Sequence, residues 1–537
     1  MDCQAIAFSK LPQQPKLFVR YAENSSQVRR FYAHPPALSS VRKVARNLSF
    51  PDGRRKGVTA ILREQNDGFG AGEDTFENLK RLEQGAVAVV TGQQVGLFTG
   101  PAYSIYKALT AVKVARDLTR MGLNAVPVFW MATEDHDVAE ANHCDWLAGR
   151  SLLRLELDAR DAEGRPVGSI RLGEGILALV EKASGALEGE ASGRVEAWLR
   201  ESYRPEETYG SAFGKLMARV FAGHGLILLD PMDKGLHRAA SGVYQRALAG
   251  HSALAEALLQ RNREIERAGF RAQVRVSQQG TLLFLMQGAK RVPLRTRNGK
   301  LAAGEEVFEE SELAKLAATE PWRFSPSALL RPVVQDALVP TVCTIAGPAE
   351  TAYYAQSSVL YEQLQEGMPV ILPRAGFTIV ERAERKLLER YGLRLEDVWA
   401  GRQTVRRRME ARGLPPALGR NFDRGVADLD HLLNRIEKPI AKLDRTLTGA
   451  AQTARRKMMY QLEKLRRKAG RASDSRKGVI AEHERQLFDS LFPEHALQER
   501  SLCFLPFLAR HGTAFLGELL RRVDTQTQAR HLVLFPD

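Results

Sequence analysis

A short, unbroken apolar run at 86–90 (Ala-Val-Ala-Val-Val) leads into Thr91-Gly92-Gln93-Gln94-Val95-Gly96-Leu97-Phe98-Thr99-Gly100-Pro101, and this passage constrains the fold most tightly. A run so short and so continuously apolar fits a strand buried on both faces. Over 103–121 the apolar residues Ile105, Leu109, Val112 and Leu118 fall at helical spacing, and Gly122 ends the pattern. A second strand-sized run follows at 126–131. Strand, loop, helix and strand in that order build parallel sheets, so the class is α/β. Further strand candidates lie at 225–229, 338–345 and 370–372. The charged, mostly helical stretches between them read as insertions into the sheet domain, with a hairpin or small sheet at 278–294.

From 380 onward strand formers thin out. Ile436, Ile440, Leu443, Leu447, Ala450, Ala454, Met458, Leu462 and Leu465 recur at steps of three and four, the pattern of a coiled-coil seam. The expectation is a long α-helical coiled-coil arm, kinked or begun at Pro439, with 473–491 returning as its shorter partner. The tail ends in His531-Leu532-Val533-Leu534-Phe535, a strand rejoining a sheet.

Net charge is +15, but 401–480 alone holds 21 Lys and Arg against 8 Asp and Glu, a net of +13, leaving about +2 elsewhere. Basic runs such as Arg406-Arg407-Arg408 invite a nucleic-acid reading. Aromatic stacking residues are nearly lacking there, so a solvated or dimer-forming helix face is the better account. The longest apolar runs are strand-sized, which excludes a membrane helix, and the N-terminal residues do not resemble a secretory signal. A cytoplasmic protein is expected. Cys3, Cys144, Cys343 and Cys503 are far apart in sequence and read as free thiols, not as a metal clip or redox pair.

Ligands of open parallel sheets bind beyond the carboxyl ends of the strands. Two polar strings sit at such ends. The glycine loop is suited to an anion, with Thr99, Tyr103 and Ser104 adding hydroxyls and Lys107 a charge one turn into the helix. Its spacing matches neither Gly-x-Gly-x-x-Gly nor a Walker loop. Thr133-Glu134-Asp135-His136-Asp137 supplies groups for acid–base work or a metal, although a charged helix N-terminus explains it too. A third string, Thr344 to Tyr353 through Gly347-Pro348-Ala349-Glu350, repeats the strand-to-helix pattern, with Arg331, Gln335 and Asp336 before it and Pro373-Arg374 after.

Val90-Thr91-Gly92-Gln93-Gln94, Gly96-Leu97, Thr99-Gly100-Pro101 and Lys107 resemble one family, the bacillithiol-biosynthesis cysteine-adding enzymes. Trp130, the Thr133–Asp137 string, His143, Gln335-Asp336, Pro340-Thr341, Gly347-Pro348-Ala349-Glu350, Tyr353, Pro373-Arg374 and Leu497-Gln498-Glu499-Arg500 extend the resemblance over nearly the whole chain. It implies a Rossmann-like core with connecting insertions, divided as 1–150, 151–330 and 331–380, then a coiled-coil arm at 381–491 used for homodimerisation, and a segment at 492–537 packing back on the core. The implied reaction joins cysteine to glucosaminyl malate, the last step of bacillithiol synthesis, with ATP and Mg activating the carboxylate; no structural metal is expected.

On this reading Lys107, Glu134, Asp135, His136 and Asp137 are the catalytic candidates. Thr91, Gln93, Gln94, Gly96, Thr99, Gly100, Tyr103, Gln335, Asp336, Gly347, Glu350 and Arg374 are the binding candidates. Tyr106 stands where an adenylating loop of this kind would use histidine, and none occurs between Thr91 and Met121. The competing readings are a coiled-coil scaffold or nucleic-acid binder with a non-catalytic core, and a metal-dependent hydrolase.

Overall fold

The computed structural model describes residues 2–159, 162–364, 366–412, 416–474, 478–525 and 530–536. At its centre is a parallel sheet of five strands: β1 (Val87–Gln93), β2 (Ala125–Met131), β3 (Ile227–Leu229), β4 (Thr341–Ala346) and β5 (Val370–Pro373). Their spatial order is β5-β4-β1-β2-β3, every neighbouring pair parallel. The chain therefore works outward from β1 to β3, then crosses back to lay β4 on the other side of β1. That reversal is a topological switch point, where open α/β sheets hold ligands.

Side chains of a strand alternate between faces. Val87 and Val89 of β1 pack with Ala111, Val114 and Leu118 of helix α1 (Tyr103–Arg120). Ala88 and Val90 pack on the other face with Ala352, Tyr354 and Ala355 of helix α2 (Pro348–Leu364). Covering both faces is what makes the strand continuously apolar rather than alternating.

The insertion between β3 and β4 carries a five-stranded antiparallel sheet, whose hairpin Gly280–Gln287 and Lys290–Arg297 occupies the region expected to be strand-like. The chain ends meet in a third sheet, where Arg530–Phe535 lies antiparallel to Asp2–Ala7 and parallel to Gly376–Ile379. Among the described residues no helix is long and apolar enough to cross a membrane.

The arm is helical as expected, but its long helix is divided and its return is not at 473–491. It folds as an antiparallel hairpin of α3 (Pro416–Leu443) and α4 (Thr448–Asp474), turning at Arg445–Leu447. Arg455 pairs with Asp430 and Glu437, and Arg466 with Asp423, which fixes the antiparallel register. The seam residues Ile436, Leu443, Leu447, Met458 and Leu465 stay exposed. Helix Val479–Leu491 is not the arm's return strut; it buries Leu487, Phe488 and Leu491 against the body of the protein, and Arg485 donates to Ser151 Oγ. Residues 475–477 lie outside the described residues.

Arg374 and Glu499 join the two halves of the chain. Both are buried, and the guanidinium grips the carboxylate with two bonds of 2.9 and 2.6 Å, while Glu499 also accepts from Phe377 N. Removing one partner of a buried pair strands the other charge away from water. Glu499→Gln is expected to lower unfolding free energy by about 3–5 kcal/mol, read by urea denaturation, and a Met at 374 combined with Leu at 499 should recover most of it.

Candidate active site

Beyond the carboxyl ends of β1, β2 and β4 lies a cleft of about 540 Å³. Gly92 and Gln93 of β1 line it with Gln94 just beyond, Trp130 of β2 with Ala132, Glu134, Asp135 and His136 just beyond, and Glu350 and Tyr353 of α2. The insertion contributes Arg275, Phe284 and Arg291. Gly92 has a steric reason: a Cβ there would sit 2.9 Å from the carbonyl oxygen of Trp130 on the neighbouring strand.

Of the expected binding and catalytic residues, Gln93, Gln94, Glu134, Asp135, His136 and Glu350 line the cleft together. Thr91 donates to Ile345 O at 3.0 Å and ties β1 to β4. Gly96, Thr99, Gly100 and Tyr103 are not among the residues that line this cleft. The turn runs through left-handed Phe98, Thr99 and Gly100. The C-terminal segment covers the start of α1: Ala102 N donates to Leu502 O, and Cys503 Sγ donates to Phe98 O. Tyr106 points into the core against Phe377 and Phe504, so the absent histidine leaves no gap in the cleft.

Lys107 sits beneath the cleft. Its ammonium is buried, donates at 2.7 Å to both Gly92 O and Gln93 Oε1, and pairs with Glu350, which leaves it no face toward a ligand. Burial pulls its pKa down, and Glu350 opposes that shift. Gly347 donates its N–H to Glu350. Gln335 and Asp336 form a layer behind the cleft, Gln335 accepting from Arg331 and donating to Asp336. Arg374 is committed to Glu499. Asp137 is exposed and caps the helix Val138–Ala141 by accepting from Glu140 N, the bland alternative for that string.

The acidic string divides by environment. Burial raises the Glu134 carboxyl to about 8, with Arg291 opposing the shift. His237, 3.6 Å away, is itself pushed down to about 4 by burial and stays neutral. Asp135 accepts from Gln94 Nε2 at 2.6 Å and from His136 N at 2.7 Å. Arg291 places Nη1 2.9 Å from His136 Nδ1. A guanidinium only donates, so Nδ1 must accept and neutral His136 carries its proton on Nε2. Burial and Arg291 both lower the imidazole's pKa.

Arg291 was invisible in the sequence. It lies in a hairpin strand some 150 residues from His136, and only the fold sets its guanidinium over the Phe284 ring, 3.7 Å from the centroid, with Ser325 Oγ and Pro326 O as its other acceptors. Among the described residues no group of three or more His, Cys, Asp or Glu side chains is arranged to hold a metal.

The N-terminal Rossmann-like domain of bacillithiol biosynthesis BshC matches residues 1–375, and the family's C-terminal coiled-coil domain matches 377–536. The chain belongs to the bacillithiol biosynthesis BshC family. It is 40% identical over 533 residues to the "Putative cysteine ligase BshC" of Koribacter versatilis (strain Ellin345), covering 98% of this chain and 99% of that one. The protein of the same name from Solibacter usitatus (strain Ellin6076) is 39% identical over 95% of this chain and 96% of its own. That of Salinibacter ruber (strain DSM 13855 / M31) is 29% identical over 97% and 96%.

Because the folded Glu134 holds its proton up to about pH 8 while an unfolded glutamate releases it near 4.5, the native state binds more protons between those limits. Stability should therefore fall as pH rises from 5 to 8, by up to about 1.4 kcal/mol per pH unit from this group. Glu134→Gln should remove that component, measured as unfolding free energy at pH 5, 6.5 and 8.

Proposed function

We propose that the chain is a ligase that forms an amide between the carboxyl of cysteine and the amine of glucosaminyl malate, completing bacillithiol, with ATP as activator and Mg accompanying it. The observation that carries this reading is the pairing of unlike groups in one cleft: a carboxyl held near pH 8 and a neutral imidazole with a fixed donor. Family membership supports it.

A free carboxylate does not react with an amine until its oxygen becomes a leaving group. Attack of the cysteine carboxylate on the α-phosphorus of ATP forms the acyl-phosphate bond and releases pyrophosphate. The amine nitrogen then attacks the acyl carbon, and AMP departs with the bonding electrons. His136 suits the first requirement, since its Nε2–H donates to oxygen without carrying charge. Glu134 suits the second: once ionised it takes the proton that the amine loses. Gln94 Oε1, buried and without a partner among the described residues, would accept from that amine.

In an assay with cysteine, glucosaminyl malate and Mg-ATP followed by mass spectrometry, product is expected only with ATP. Its rate should rise with pH through about 8, and Glu134→Gln should lower kcat by about 10²-fold or more and abolish that rise. Undiminished product without ATP, or an unaltered pH profile in the variant, would sink the mechanism.

The arm serves, on this reading, to pair two copies. Leu443 is 83% exposed and Leu465 57%, and Ile436 and Met458 are exposed too, apolar side chains along the hairpin that suit the seam of a second copy. Sedimentation should find a dimer, and Leu443→Glu with Leu465→Glu should yield a folded monomer.

A further inference from the structure

The cations around the cleft are not equivalent. Lys107 is bound to Glu350, and Arg291 spends its fork on Ser325, Pro326 and His136. Arg331, at the start of the helix Arg331–Leu338, is different. Its Nη1 donates to Gln335 Oε1 at 2.8 Å and its Nη2 to Tyr353 OH at 3.0 Å, both neutral acceptors. Among the described residues it forms no ion pair. Gln335 is itself fixed by Asp336, which accepts from Tyr361, so the guanidinium is held by a layer of buried side chains. It faces the cleft beside the Trp130 ring, its carbon 5.9 Å from the centroid.

The nearest carboxylates are already engaged, Glu350 by Lys107 and Asp336 by Tyr361 and Gln335, so the charge of this mostly buried guanidinium is only partly offset and a ligand anion would complete it. Orientation by two neutral acceptors leaves the fork without a direct ion pair among the described residues while fixing its plane, which suits a carboxylate or phosphate met edge-on. Exposed Arg275 adds a second cation at the cleft and likewise has no ion pair among the described residues.

We propose that Arg331, aimed by Gln335 and Tyr353 and assisted by Arg275, is the residue by which the cleft grips an oxyanion of its substrate, and that the malyl carboxylates of the acceptor are that anion. Arg331 thereby determines specificity: it selects an acceptor that carries carboxylates over a bare amino sugar. The identity of the acceptor rests on the ligase reading above; the anion site does not.

The test is calorimetric titration of the full-length protein with glucosaminyl malate, its dimethyl ester and inorganic pyrophosphate. In the wild type the free acid should bind at least about tenfold more tightly than the ester. In Arg331→Gln the acid should weaken to the level of the ester while the ester is unchanged, because removing charge from either side breaks the same contact. Arg331→Lys, which keeps the charge but not the fork, should fall between. If Arg331→Gln weakens pyrophosphate and leaves glucosaminyl malate untouched, the site is an oxyanion grip for phosphate and the malyl assignment is wrong. The proposal is overturned if folded Arg331→Gln and wild type bind all three alike, or if no anion binds the wild type. Failure to form product in the ligase assay, with malyl binding still dependent on Arg331, would overturn the ligase reading alone.

Discussion

The cleft depends on one buried ammonium. Lys107 reaches from α1 to the carbonyl of Gly92 and the amide of Gln93 at the end of β1, and pairs with Glu350 at the start of α2. Glu350 in turn holds the N–H of Gly347 just after β4. A charge so far from water persists only when its partners are fixed around it. The pair therefore sets how far apart the ends of β1 and β4 stand at the switch point of the sheet. The floor of the cleft follows from that spacing, with Gly92 allowing β1 to pass close to Trp130.

On this floor the chemistry is built by suppressing charge. Burial keeps Glu134 protonated through neutral pH, and Arg291 holds His136 in one tautomer while disfavouring its imidazolium form. Glu134 and His136, two positions apart in one string, are thus both uncharged at neutral pH. Arg331 is the counterpoint, a charge that two neutral acceptors orient and that forms no direct ion pair among the described residues. On the proposal made for it, that charge meets an oxyanion of the substrate.

The insertion and the C-terminal half are as necessary as the sheet. Arg291 and Phe284 arrive on the hairpin of the antiparallel sheet, and residues 502–503 seal the turn before α1. The Arg374–Glu499 pair links the end of β5 to the segment that follows the arm. Sites assembled this way couple distant stretches of chain, so the sealing of the glycine turn and the opening of the cleft are consequences of one packing.

The sequence by itself determined the α/β class, the buried parallel strands, the apolar arm and the two strings that close on the cleft, because periodicity and burial on both faces are local properties of a strand or helix. It also made Glu134, Asp135 and His136 legible, since charged residues directly after a buried strand stand at its ligand-binding end. What it could not determine is which polar groups remain available. Lys107 and Arg374 read as ligand contacts until Glu350 and Glu499 are seen to consume them, and Arg291 does not stand out until the fold sets it against His136. The arm's seam likewise suggested one long helix, yet the turn at Arg445–Leu447 and cross-pairs such as Arg466–Asp423 make it a hairpin. Those decisions belong to the tertiary structure because the charge and hydrogen-bonding capacity of a side chain are spent on partners chosen by packing, often hundreds of residues away.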